Sequence, residues 1–186
     1  MKTKLYEGQI IFYYAHDDIF HDVRHQSAFL CKNITSKEGG DISEAFLITE
    51  DETDTVALCL REQLPAVFEV ARGLTYGIPD ATQGQMTGAA FKLLFPDATQ
   101  EEIAALGVDD AKNYVVIRLM DNGAYNPNDP ALVDSAFLSA IEQGVLAEYY
   151  AKVTHPVVTK VCAEQFGRQL AALSQRLLGL RKKSSL

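Results

Sequence analysis

Tryptophan is absent and cysteine is scarce: the three thiols, Cys31, Cys59 and Cys162, lie far apart and form no Cys-x-x-Cys pair. That spacing indicates neither a zinc knuckle nor a disulfide framework, and it fits a reducing compartment. Long apolar runs are missing too. The stretch Ile10 to Ala15 is too short for a signal-peptide core, and nothing approaches the ~20 residues of a membrane span. We therefore expect a protein that is cytoplasmic when synthesised and has no membrane partner. Positive charge is in deficit, with 17 Lys and Arg against 25 Asp and Glu, a net −8. Broad binding to a phosphate backbone needs clustered cations, so nucleic acid is not an expected partner. The one basic run, Arg176 with Arg181, Lys182 and Lys183, reads as a solvated helix end, although deleting 181–186 would test it as a nucleic-acid contact.

What remains is ordinary globular material, 186 residues of which 47% are hydrophobic. A chain of this length buries roughly 70% of its unfolded surface around one core. We read 1–186 as a single domain that is mainly α: a bundle of four to five helices with a small two- or three-stranded β-element. Residues 1–73 form an N-terminal arm and two helices. The arm, Gln9 to Ala15 (QIIFYYA), is β-branched and aromatic and reads as a strand or extended segment. Asp17 or Asp18 then caps a helix whose apolar positions are Ile19, Phe20, Val23 and Leu30.

Residues 32 to 44 read as a polar loop. Thr49 and Glu52 form a capping box that opens a helix from Glu50 to Arg72, kinked at Pro65. Residues 74–88 carry turn residues throughout and read as a loop. The span 87–120 is a β-containing insertion: strands over Thr87 to Phe95 and Asn113 to Met120, able to pair with each other, flank a short helix started by Thr99. Residues 121–130 are a turn-rich connector that ends with Asp129 as N-cap and Pro130 at the first helical position. Residues 129–180 form a helical hairpin broken at Thr154-His155-Pro156, and 181–186 are a frayed basic tail.

Chemistry is concentrated in one place. Residues 13 to 25, YYAHDDIFHDVRH, hold three of the four histidines, His16, His21 and His25, with three aspartates. On a helical wheel Asp17, Asp18, His21, Asp22 and His25 fall opposite Ile19, Phe20, Val23 and Leu30, so the cluster is the polar side of an amphipathic helix. A metal site is the alternative, since His21 and His25 one turn apart chelate a divalent ion to which Asp22 adds an oxygen. The pair His21-Asp22 also looks like the adjacent His-Asp of HD-type phosphohydrolases, which need further ligands downstream, where only His155 remains. Gly84 and Gly88 match no phosphate-binding pattern. The carboxylates and amides of 121–129 miss the calcium-loop spacing. A dyad of Cys31 with His25 or His155 competes with simple core burial of the thiol.

The order of segments carries a resemblance. HDDIFHDVRHQSAFL, then FLITEDETD, then NYVVIRLMDNGAYNPND before a long helix, and a hairpin ending in LLGLRKK, together resemble a family of uncharacterised proteins from tailed phages and prophages of gut Bacteroidales. The opening Ile48-Thr49-Glu50-Asp51-Glu52 is similar to the first helix of small head-to-tail connector proteins, from which the strands of 87–120 depart. The resemblance implies a virion structural or assembly protein of the neck or tail region, not an enzyme, with no catalytic residue and no cofactor. Its partners would be other virion subunits or copies of itself, and its destination the virion. A homo-oligomer is expected, with partner contacts on the exposed faces of the last two helices and on the 121–130 connector. The rival reading is a metal-dependent hydrolase using His21, His25 and Asp22.

Overall fold

A computed structural model describes residues 3–32, 43–75, 77–120, 130–153 and 156–183. The chain is mainly helical, and among the described residues it has a four-stranded antiparallel sheet instead of the two or three strands expected, and six α-helices instead of four to five. The strands are β1 (Thr3–Tyr6), β2 (Gln9–Ala15), β3 (Gly84–Thr87) and β4 (Asn113–Met120), in the order β1-β2-β4-β3. The helices are α1 (His16–Cys31), α2 (Thr53–Ala71), α3 (Gly88–Lys92), α4 (Gln100–Ala105), α5 (Pro130–Lys152) and α6 (Pro156–Lys183).

The two inner strands explain why QIIFYYA and YVVI are apolar without alternation: both faces of the sheet are covered. Ile10, Phe12 and Tyr14 of β2 and Val115, Ile117 and Leu119 of β4 face a core shared with α1, α2, α5 and α6. Ile11, Tyr13 and Ala15, with Tyr114 and Val116, face a second core that contains Phe91, Phe95, Leu106 and Val108. Tyr13 anchors that layer by donating its hydroxyl hydrogen to the Leu106 carbonyl at 3.0 Å. The segment read as an arm is thus an inner strand, paired with β4 from Gln9 opposite Met120 to Ala15 opposite Tyr114.

Several local readings are corrected. Of the expected strand over Thr87 to Phe95 only Thr87 is extended, as the last residue of β3; the rest is helix and turn, because the Thr87 hydroxyl accepts the Ala90 amide and starts α3. Only the four residues of β3 pair with β4, and β3 begins inside the span read as a loop. Neither Asp17 nor Asp18 is the N-cap of α1; that position is Ala15, and both acids lie in the first turn, where they still oppose the helix dipole. At the other end of the chain α6 runs to Lys183, so Arg181, Lys182 and Lys183 are helical and not tail.

The helix-opening signals hold. The Thr49 amide donates to Glu52 at 2.8 Å ahead of α2, and Thr99 and Glu102 bond reciprocally at 2.9 and 3.3 Å ahead of α4. Pro65 sits inside α2 and Pro130 opens α5. The hairpin is antiparallel: the Thr159 hydroxyl reaches the Tyr150 carbonyl at 2.7 Å, and Arg176 reaches the Leu132 carbonyl at the far end. The loop expected at 32–44, apart from its ends, the 121–129 connector with Asp129, and His155 lie outside the described residues.

Candidate functional site

Helix α1 follows β2 without a linker, so the histidine segment starts at the end of an inner strand and runs along the bundle. Its residues separate as the wheel requires. His16 is buried, its ring 5.6 Å from that of Phe20; burial lowers its pKa and favours the neutral imidazole, and its Nε2 has no hydrogen-bond partner. His21 and His25 are exposed. The His21 Nδ1 lies 3.3 Å from the Asp22 carboxylate, and the His25 ring meets Phe29 edge-on at 5.2 Å. His21 and Asp22 therefore touch, while His25 turns to an aromatic neighbour. Among the described residues no three His, Cys, Asp or Glu side chains are placed to hold one metal ion.

The polar face of α1 is occupied in another way. Lys112 donates to Asp17 at 2.7 Å, Arg24 pairs with Glu50 at 3.2 Å, and Gln26 donates to Glu142 of α5 at 2.7 Å. These contacts tie the helix to the start of β4, to the approach of α2 and to α5. Surface ion pairs contribute little each, commonly below ~1 kcal/mol, so they set position more than stability. We expect the double change His21→Ala, His25→Ala to move the melting temperature by less than about 2 °C, with or without prior dialysis against a chelator. A larger chelator-dependent loss in a thermal melt would restore the metal reading.

The three cysteines are buried free thiols. Burial pushes Cys59 and Cys162 up to about 11 and raises Cys31 as well, so all three are protonated at neutral pH and poor nucleophiles. Cys31 turns away from histidine: its Sγ is 3.0 Å from the Tyr150 hydroxyl and 3.3 Å from the Phe46 carbonyl. The Cys31–His25 dyad does not form. Tyr150 itself donates to the Phe46 carbonyl at 3.1 Å, and its neighbour Tyr149 donates to Glu52, the same carboxylate that caps the approach to α2.

Sequence reasoning missed two buried acids on α5, Asp134 and Glu142. Asp134 accepts the Tyr14 hydroxyl at 2.9 Å, which joins α5 to β2, and desolvation raises its pKa against that bond. Glu142 is pushed up to about 7, first by desolvation and then by the Asp22 carboxyl, against the hydrogen bond from Gln26. Their burial comes from tertiary packing and has no local mark in the sequence. Helix α5 packs against α1, α2 and α6, so its polar residues have few directions that reach water.

A cleft of about 550 Å³ lies beside the C-terminal half of α2. Of its charged walls Glu69 and Arg72 pair with each other at 3.2 Å, and Phe68 is the large apolar contact. Nothing there assembles a nucleophile with a base. Comparison of the chain with protein-family models, with curated proteins and with solved structures found no match. The site is therefore read from its own residues. Exposed apolar side chains are the other surface feature: Val157, Val161 and Leu178 on α6, Leu132 on α5 and Phe29 on α1. Among the described residues no helix is long and apolar enough to cross a membrane.

Proposed function

We propose that the protein works through its surface, as a structural or assembly subunit of a tailed-phage or prophage particle. The observation that carries this reading is where the buried polar groups are spent. Asp134, Glu142, Tyr14, Tyr149 and Tyr150 each bond across two elements, Tyr149 to the half-buried Glu52, and among the described residues none of them faces a cleft with a partner for catalysis. The polar interior fixes how helices and sheet sit together, which is the requirement on a building block.

The segment order described above supports the phage context, and the outer side of α6 supplies a contact surface. Val157 and Val161 lie one turn apart, 68% and 37% exposed, on the helix expected to meet partners. The test is solution mass by light scattering across a concentration series. A defined oligomer, or mass that grows with concentration, is expected, and Val157→Asp with Val161→Asp should return the mass to that of one chain without changing the circular dichroism. A wild-type protein that stays a single chain at every concentration would remove self-assembly from the reading.

A further inference from the structure

One carboxyl group in the seam between α1 and α5 is nearly cut off from water. Glu142 is 7% exposed. Its Oε2 accepts the Gln26 amide at 2.7 Å, and the Gln26 carbonyl oxygen is taken in turn by Gln143 Nε2 at 2.6 Å. The other neighbour is Asp22, one turn before Gln26 on α1, whose negative charge works against ionisation of Glu142. A carboxyl buried in this seam against one neutral amide donor, with an acid and no cation beside it, holds its proton more tightly than one in water. Asp22 is about half exposed and also touches the solvent-facing His21 ring, so the pair has a polar route to water.

We propose that the α1–α5 seam is a proton-operated latch, closed while the buried Glu142 carboxyl holds its proton and loosened when it is ionised.

The charges around the pair leave it no cation to compensate. On α1, Arg24 is committed to Glu50 and Asp17 to Lys112, while His21 meets Asp22 from the solvent side. On α2, Glu62 pairs with Lys152, and on α6 Glu164 pairs with Arg168. The charge that raises the Glu142 pKa is that of Asp22. The linkage has a definite sign. Glu142 stands near 7 in the closed seam against 4.5 ordinarily, so the closed state is favoured in full below about pH 4.5. That advantage is lost as pH rises toward 7 and the loss levels off above it. Its ceiling is about 300-fold in the opening equilibrium, the equivalent of the whole shift. Cys31 ends α1, so opening would also uncover a thiol that is 0% exposed when the seam is closed.

The experiment is amide hydrogen exchange of the full chain between pH 4.5 and 8.5, read by mass spectrometry. Peptides from α1 are compared with peptides from α6 in the same sample, after correction for intrinsic rates. Exchange of α1 relative to α6 should rise at least tenfold between pH 5 and 7 and then flatten. Glu142→Gln should remove the rise, since a neutral amide keeps the seam closed at every pH. Asp22→Asn, which removes the charge that opposes ionisation of Glu142, should reduce the rise too, and serves if the first variant does not fold. A flat wild-type profile, or an unchanged rise in the folded variants, would overturn the latch.

Discussion

Replacing Gly88 by Ala is expected to cost the fold about 3 kcal/mol, at the upper end of the usual overpacking range. A Cβ at this position would sit 2.0 Å from the Asp109 carbonyl oxygen and 2.9 Å from Val108 Cγ1. The obstacle is backbone, which cannot swing aside as a side chain would. It is also pinned: the Gly88 amide donates to the Lys112 carbonyl at 2.8 Å and the Ala89 amide to Asp110 at 3.3 Å. Making room means pulling β3 and α3 away from the segment that leads into β4. For a chain of this length the loss corresponds to a melting temperature lower by roughly 6 to 12 °C, measurable by calorimetry. A variant within about 2 °C of wild type would mean that the 84–92 segment does not dock against 108–112 as described. The same substitution answers what this glycine is for. It permits a close approach of two backbones and has nothing to do with phosphate binding.

Phe137→Ala is expected to destabilise by about 3 to 5 kcal/mol, the range for removing an aromatic ring from a packed core. Phe137 is 0% exposed, and its ring stands 5.3 Å from that of Phe12, tilted by 50°. The pair is the point where α5 rests on the central strand, so the cavity would open between the two layers. Measured by urea unfolding, the loss should appear as a lower midpoint with little change in slope. Since a domain commonly has only about 5 to 15 kcal/mol in total, the change removes a large share of it. Phe166→Ala is the control. That ring is half-buried over Gly144, so its loss should be smaller. Equal losses at the two positions would mean that the hairpin contact matters as much as the sheet contact.

The helices were legible where local chemistry marks their ends. Thr49 with Glu52, Thr99 with Glu102 and Pro130 are short-range signals, and each opens a helix in the structure. The β-element was only half legible. Thr3 to Tyr6 is too short to stand out, yet the two-residue turn after it, Glu7 at φ 46° and Gly8 at φ 71°, is the kind that closes a hairpin, and Glu-Gly before an apolar run could have pointed to it. The apolar run FKLLF misled because burial of Phe91 and Phe95 satisfies a helical turn as well as a strand. At the candidate site the wheel separated the exposed His21 and His25 from the apolar stripe. It did not show that Asp22 and Gln26 reach Glu142, because that contact spans 116 residues between Gln26 and Glu142 and belongs to tertiary packing.

The pairing of β2 with β4 has a consequence for how the protein is made. Ala15 meets Tyr114 and Gln9 meets Met120, partners about a hundred residues apart in the chain. Until Met120 has left the ribosome, the β1-β2 hairpin has no neighbour for the side of β2 that β4 will cover, and the α5–α6 hairpin that completes the core over Ile10, Phe12 and Tyr14 has not been made. Synthesis at ~5–20 residues per second makes that wait several seconds long. Such non-local closure slows folding and favours unwanted strand pairing, so the nascent chain should depend more on chaperone protection than its helical content alone would suggest.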